Sequence, residues 1–229
     1  RALNPGFISR MVRGRPWVRS KLAMSLDGRT ALADGTSKWI SGEAAREDVQ
    51  HWRAQSSAVL TGIGTVLTDD PSLNVRLDGE WRQPLRVVAD TALRTPMTAC
   101  LLKLPGETLI ATTVDDPKRH TSLLSAGARL LNLPAARGAL DLTALLAKLA
   151  ERECNEVLVE AGPRLNGALL QAGLIDEIIV YLAPHILGDG ARGLFQLPAL
   201  SAMHQRRELE LVELRMIGND VRLILRPKT

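Results

Sequence analysis

The sequence predicts an α/β fold with a mixed, mostly parallel sheet flanked by helices, and three observations carry that prediction. Short apolar runs rich in β-branched residues recur along the chain, amphipathic helical patterns lie between them, and an alternating pattern on either side of a glycine turn closes it. The runs are 58-AVLTG-62, 85-LRVVAD-90, 107-ETLIAT-112, 129-RLLNL-133, 156-EVLVE-160 and 177-EIIVYLA-183. Their hydrophobicity is continuous rather than alternating, as expected of strands covered on both faces. A first helix is predicted over 43–55, with Ser41 as its N-cap and Ala45, Val49 and Trp52 on one face. A second spans 141–153, where Asp141 caps and Leu142, Leu145, Leu146 and Leu149 line a stripe. A third opens at Pro163, tolerated at N1, and stops at Gly173, suited to the left-handed C′ position. The segments 208–217 and 221–226 alternate around Gly218-Asn219-Asp220 and read as an antiparallel hairpin at one edge.

The composition bounds the function. The chain has 229 residues, 45% apolar and 24% charged, enough to bury roughly 70 to 75% of its unfolded surface without disulfides or a structural metal. No repeat, low-complexity stretch or Pro/Gly/Ser-rich linker divides it, so a single domain is expected. Lys and Arg outnumber Asp and Glu by 29 to 25, but the charges are dispersed. Only Arg10, Arg13, Arg15 and Arg19 cluster, and aromatics at 3% are too few for base stacking, which argues against nucleic acid. A modest positive excess suits a small anionic ligand better. No apolar run approaches the roughly 18 residues that cross a bilayer, and the first sixteen residues lack a secretory core, so a cytoplasmic setting and no membrane partner are expected. Cys100 and Cys154 lie far apart, and His51, His120, His185 and His204 are scattered. No metal site is expected, and both thiols read as buried or half-buried. The GxSxG motif of serine hydrolases is absent.

Three stretches concentrate the polar chemistry. In 156-EVLVEAGPRLNGALL-170 a buried strand runs through Glu160 into Gly162, Pro163 and a helix, a turn whose free backbone amides form a ready anion site. Tight helix-on-sheet packing at Gly162 and Gly167 is the competing reading, since the GxGxxG fingerprint is missing. In 61-TGIGTVLTDDPSLNVR-76 a strand ends in small residues before Asp69, Asp70, Asn74 and Arg76. Ligands of open α/β sheets bind beyond the carboxyl ends of strands, although one aspartate of the pair suits a purely structural turn. In 21-KLAMSLDGRTALADGTSKWIS-41, Asp27-Gly28 favours a tight turn, and Trp39 sits among Ser37, Lys38 and Ser41, leaving core and rim both open.

Taken as 21–41, 58-AVLTGIGTVLTDDPSLNVR-76 and 156-EVLVEAGPRLNGALLQAGLIDEIIVYLAPHILG-188, these three stretches resemble the reductase domain of the bifunctional deaminase/reductase of riboflavin biosynthesis, in the family's order and over about a third of the chain. The resemblance implies a dihydrofolate-reductase-like fold, a homodimer, and NADPH-dependent reduction of 5-amino-6-(5-phospho-D-ribosylamino)uracil, a phosphorylated ribosylamino-pyrimidine, to its ribitylamino product. Carried onto this sequence, it places NADPH against Ala23, Trp39, Thr65, Asp69 and Thr91, and its phosphates on Gly162, Pro163, Arg164, Leu165, Asn166, Gly167 and Ala168. It places the substrate against Ser37, Arg53, Leu73, Arg76 and Glu160, with the two arginines suited to a phosphate monoester. Arg53 has a solvated helix face as its competing reading. Lys21, Asp69 and Glu160 are the expected catalytic set, with Lys21 and Asp69 assisting ring opening and proton transfer and Glu160 orienting the substrate. A plain salt bridge remains the alternative for Lys21. Arg94, beyond the strand that ends at Asp90, is a further candidate for the 2′-phosphate, with plain surface exposure as the alternative.

The HxE and PCxxC zinc motifs of the deaminase partner are absent, so this chain is not expected to deaminate. The basic residues 1–16 resemble an interdomain connection, residues 17–229 are expected to be a reductase domain, and a deaminase domain is possible in a longer protein. Two other classes compete: a non-catalytic phosphoribosyl-nucleotide-binding module, and a dihydrofolate-reductase-like enzyme that reduces a pterin.

Overall fold

Steric and hydrogen-bonding preferences divide the chain into α1 (Pro5–Arg13), β1 (Trp17–Ser25), β2 (Arg29–Ala31), α2 (Glu43–Gln55), β3 (Ala58–Gly62), α3 (Ile63–Asp69), β4 (Leu85–Ala89), α4 (Cys100–Lys103), β5 (Thr108–Thr112), α5 (Pro117–Ser125) and β6 (Ala128–Asn132). There follow β7 (Ala135–Ala136), β8 (Ala139–Leu140), α6 (Leu142–Glu151), β9 (Glu156–Val159), α7 (Pro163–Gln171), β10 (Glu177–Ala183), β11 (Arg192–Gly193), β12 (Leu209–Ile217) and β13 (Asp220–Pro227). The computed structural model describes residues 4–136 and 138–228, so residues 1–3 of the expected connecting segment lie outside it. The elements gather into two compact units. One holds the described residues up to Trp17 together with Gln50–Leu158, and the other holds Val18–Val49 and the chain from Val159 onward.

In the first unit the strand order is β9-β3-β4-β5-β6, with β3, β4, β5 and β6 mutually parallel. The continuous apolar runs are buried as expected: Val59, Leu60, Val87, Val88 and Ile110 are fully enclosed. Helix α6 starts at Asp141, whose carboxylate accepts from the amides of Thr143 (2.9 Å) and Ala144 (3.0 Å), and it buries Leu145, Leu146 and Leu149. Residues 5–13, expected as connection, form a helix capped by the Asn4 side chain and by Gly14 in the left-handed conformation. Arg10 Nε fixes this helix by donating to Asn155 Oδ1 at 2.8 Å. Cys154 is buried and Cys100 half-buried, and burial pushes the Cys154 thiol pKa up.

Arg86 on β4 is 1% exposed, yet its guanidinium meets no carboxylate among the described residues. It donates instead to Thr108 Oγ1 (2.9 Å) and to the carbonyls of Leu104 (3.0 Å), Pro105 (2.8 Å) and Gly106 (2.8 Å). Burial lowers its pKa, and the ring of neutral acceptors is what permits the cation there.

In the second unit the order is β12-β13-β10-β1. Strand β10 takes β1 in parallel on one side and β13 antiparallel on the other. The C-terminal hairpin forms as expected, with Ile217 opposite Asp220 across Gly218 and Asn219. Asp220 thus belongs to the strand, and its carboxylate accepts from the Gly42 amide at 2.7 Å. Gly42, whose carbonyl takes the Arg46 amide, occupies the N-cap place of α2 that the sequence suggests for Ser41. Strand β12 alternates in sequence but is exposed along nearly all its length. Among the described residues no helix is long and apolar enough to cross a membrane, and no group of His, Cys, Asp and Glu is placed to hold a metal ion.

Replacing Arg86 by leucine strands three loop carbonyls in a dry interior. We expect Arg86→Leu to lose about 2–4 kcal/mol of stability in urea unfolding, on the scale of buried acceptors left unpaired. An unchanged midpoint would show that the 104–106 loop does not depend on the guanidinium.

Candidate active site

The expected site residues divide between the two units. In the second unit, β1 alternates: Val18, Ser20 and Leu22 are buried, while Lys21 and Ala23 stand half-buried on the other face, in register with Ile179 and Tyr181 of β10. Lys21 Nζ lies 5.9 Å from the centre of the Tyr181 ring. That ring is fully buried, and its hydroxyl donates to Asp48 Oδ2 at 2.5 Å. Asp48 Oδ2 also accepts from Arg222 Nη1 at 2.7 Å, and Arg222 Nη2 donates to Glu213 Oε1 at 2.5 Å. Burial works against the Arg222 charge, but the hydrogen bonds to Glu213 and Asp48 outweigh it and raise its pKa. Lys21 therefore stands over an aromatic platform pinned by a carboxylate and an arginine.

Trp39 resolves to the rim, 69% exposed, with the Arg46 guanidinium 4.6 Å from its ring centre. Arg46 Nη1 also donates to the Ser41 carbonyl at 2.7 Å, so one arginine covers a face of the indole and holds the segment that carries it. Ser37 is half-buried on the same segment.

Glu160 follows β9 and is half-buried. Gly162 then adopts extended backbone (φ −75°, ψ 178°) as the N-cap of α7, and Pro163 takes N1 as predicted. In the first turn Arg164 is exposed and Leu165 half-buried, and the amides of that turn point out of the helix. Asn166 is fully buried: its Nδ2 donates to the carbonyls of Ala161 (2.7 Å) and Gly162 (3.2 Å), and its Oδ1 accepts from Ser20 Oγ at 2.7 Å. Its side chain thus builds the turn. A Cβ at Gly167 would overlap the Gln196 carbonyl oxygen, so Gly167 does pack tightly, but against a loop and not the sheet. A Cβ at Gly162 would meet nothing within 4 Å, and Gly162 faces open space.

The Asp27-Gly28 turn is anchored by the Asp27 carboxylate, which accepts from Ser25 Oγ (2.5 Å) and the amides of Leu187 (3.1 Å) and Gly188 (2.7 Å). The Ser25 hydroxyl, helped by these amides, lowers its pKa to about 2.

In the first unit, residues 63–69, unassigned by sequence, form the short helix α3, with Thr65 and Asp69 half-buried. Asp70, in the left-handed region at φ 41°, accepts from the Cys100 amide at 2.8 Å, and is the structural member of the pair. Leu73 is 2% exposed with φ 52°. Burial of its side chain, worth about 1.5–3 kcal/mol, offsets a backbone cost of roughly 1–2 kcal/mol. Arg53 is 8% exposed, which excludes the solvated-face reading, and its Nη1 donates to the Asn74 carbonyl at 3.0 Å. Arg76 is exposed. Its amide donates to Gln50 Oε1 at 3.0 Å, and its Nη1 donates to Asn74 Oδ1 at 3.0 Å and to the Ser72 hydroxyl. The two arginines expected to bind phosphate therefore meet on Asn74. Thr91 is half-buried at the end of β4: its carbonyl accepts from Thr113 N (3.3 Å) and Oγ1 (3.0 Å), and its hydroxyl oxygen from Leu140 N (3.2 Å). Arg94 is exposed. Sequence reasoning missed Asp48, Tyr181 and Arg46, whose roles leave no local pattern, whereas Asn74 was among the polar residues singled out.

The family model described as the RibD C-terminal domain matches residues 16–223, and the chain belongs to that family. The riboflavin biosynthesis protein RibD of Escherichia coli (strain K12) is 45% identical over 97% of the chain. Among solved structures, RibD of Acinetobacter baumannii aligns with a TM-score of 0.89 at 42% identity, over 99% of this chain and 62% of that one. A diaminohydroxyphosphoribosylaminopyrimidine deaminase/5-amino-6-(5-phosphoribosylamino)uracil reductase from Thermotoga maritima aligns at 0.82 and 27% identity, over 97% of this chain and 60% of that one. Dihydrofolate reductase from Enterococcus faecalis, at 0.50 and 11% identity over 93% of this chain and 97% of its own, shares the fold alone, and the fold is dihydrofolate-reductase-like. The chain spans 63% of the length of the Escherichia coli relative.

Two outcomes follow for the second unit. Gly167→Ala forces a methyl into the Gln196 backbone and should cost about 1–3 kcal/mol in thermal or urea unfolding, whereas Gly162→Ala should fold normally. A group whose folded pKa is depressed stabilises above its unfolded value and loses that contribution as pH falls. Asp27 should therefore stabilise fully above its ordinary value of 3.8 and progressively less as pH drops towards about 2. Asp27→Asn should flatten the acid limb of the urea-midpoint profile, and parallel limbs would contradict it.

Proposed function

We propose that the chain is an NADPH-dependent reductase acting on 5-amino-6-(5-phospho-D-ribosylamino)uracil, forming the ribitylamino product in riboflavin biosynthesis. The observation that carries this reading is the pair Arg53 and Arg76 converging on Asn74, a donor set for a phosphate monoester, in a chain of the RibD C-terminal domain family. The Thermotoga maritima relative is a 5-amino-6-(5-phosphoribosylamino)uracil reductase by description, and that substrate carries such a phosphate.

The residues present fit a nicotinamide dinucleotide. The open space beside Gly162 and the outward amides of the first turn of α7 suit a pyrophosphate, and the exposed indole of Trp39, backed by Arg46, suits a flat ring. Ala23, Thr65, Asp69 and Thr91 complete the proposed cofactor contacts, with Gly162 to Ala168 taking the phosphates. When bound, the cofactor supplies a hydride. Arg53 and Arg76 hold the substrate phosphate, and Ser37, Leu73 and Glu160 orient the rest. Lys21, steadied over Tyr181, and Asp69 assist opening of the ribosylamine and move the proton that accompanies reduction at C1′. A cytoplasmic setting, a deaminase domain in the longer protein and a homodimer complete this reading. The exposed Leu211, Leu214 and Met216 of β12 are apolar surface that a second copy would cover.

The test is NADPH oxidation with the phosphoribosylamino-uracil, beside dihydrofolate and a no-substrate control. Turnover with the uracil alone supports the reading. NADPH binding without turnover points to a binding module, and turnover with dihydrofolate to a pterin reductase. Lys21→Met should lower kcat by about 100-fold or more with the NADPH KM unchanged, and intact turnover at saturation would remove Lys21 from the mechanism.

A further inference from the structure

We propose that Asp48 is a positioning residue for Lys21: tied to Arg222, it fixes the Tyr181 ring on which the Lys21 ammonium rests. The inference rests on the reading of Lys21 as a proton-transfer group and lies wholly within the second unit.

The topology brings these groups together from separate elements. Tyr181 on β10 stands opposite Ala23 of β1 on one side and Arg222 of β13 on the other. Lys21 precedes Ala23 by two residues, so the two share a face of the sheet and Lys21 is the diagonal neighbour of Tyr181. Its long stem brings Nζ to 5.9 Å from the ring centre, within reach of a cation–π contact. Asp48 comes from α2 and accepts the Tyr181 hydroxyl (2.5 Å) and Arg222 Nη1 (2.7 Å) on the same oxygen, Oδ2. Arg222 Nη2 reaches Glu213 of β12, so the sheet holds the arginine from its far side.

Stability alone does not account for this chain of polar groups. Tyr181 is fully buried and Arg222 is buried, and an enclosed ion pair gains little over apolar residues of the same volume. A phenylalanine would fill the place of Tyr181 with no hydroxyl to satisfy. What the network adds is orientation and charge. Anchoring the hydroxyl keeps the ring from tilting away from Lys21. Donation to a carboxylate also enriches the ring in electron density and deepens the negative face that attracts a cation.

The chain is labelled with limiting acetic anhydride at one pH, and acetylation of Lys21 is read by peptide mass spectrometry against the exposed Lys103 and Lys118. A ring that seats the ammonium holds back the free amine that the reagent attacks. We expect Asp48→Ala and Tyr181→Leu to speed labelling of Lys21 by about 3- to 30-fold, with both reference lysines unchanged. Asp48→Asn keeps an acceptor and should restore most of the protection. Tyr181→Phe leaves the Asp48–Arg222 pair whole, and with it the fold, and should fall between the wild type and Tyr181→Leu. In turnover, Asp48→Ala should lower kcat by about 10-fold with the NADPH KM unchanged, and should add nothing in a Lys21→Met background. Lys21 labelling that does not respond to Tyr181→Phe or Tyr181→Leu would overturn the proposal. So would a further loss in the double variant when Lys21→Met is itself slow. If labelling responds as expected but no pyrimidine is reduced, or Lys21→Met turns over like the wild type, the catalytic reading of Lys21 fails while its seating by Tyr181 and Asp48 stands.

Discussion

One buried hydrogen bond ties the chemistry of the second unit together: the Ser20 hydroxyl donating to Asn166 Oδ1, with both residues fully enclosed. Ser20 immediately precedes Lys21 on β1, and Asn166 lies in α7 just beyond the glycine turn, so the bond fixes the proposed proton-transfer lysine and the proposed phosphate cradle in one frame. The Asn166 amide completes the lock by donating to the carbonyls of Ala161 and Gly162. Truncating either partner would strand a polar group in a dry interior, at about 1–3 kcal/mol, and would loosen strand and turn together.

Arginine does comparable work in the first unit by a different route. Arg86 gathers the carbonyls of 104–106, Arg53 takes the carbonyl of Asn74, and Arg119 takes those of Ala92 and Leu93. Loops carry backbone acceptors that no ladder satisfies, and a planar donor fork satisfies several at once. Where the guanidinium is enclosed, as in Arg86, this shapes a loop. Where it is exposed, as in Arg119, the same fork ties a surface turn to a helix.

These roles mark the boundary of what the sequence shows. Strands β3 and β10 and helix α2 coincide in extent with their sequence reading, because hydrophobic period is a local signal. Strand β1 was not legible: Arg19 and Lys21 interrupt it, and Ser20 is acceptable inside only because Asn166, 146 residues away, pairs with it. Helix α3 has no side-chain cap and is rich in β-branched residues, so propensity argues against a helix that packing enforces. The site divides likewise. Glycines, the Asp-Asp-Pro turn and the paired arginines could be singled out from the chain, whereas Tyr181, Asp48, Arg222 and Arg46 act through partners on other elements and had no local signature.

Dihydrofolate reductase of Enterococcus faecalis shares this fold at 11% identity, so the architecture constrains the chemistry only loosely. What narrows it is the environment of single side chains. Leu73 holds a left-handed backbone that leucine disfavours, between Asp70, which pins the turn to α4, and Asn74, on which Arg53 and Arg76 meet. A strained residue persists where the surroundings over-determine it. Here the surroundings are a buried side chain on one side and two arginines on the other, and both hold the loop in this one conformation. For a phosphate-bearing substrate that order matters, because a donor set fixed in advance loses little further freedom on binding.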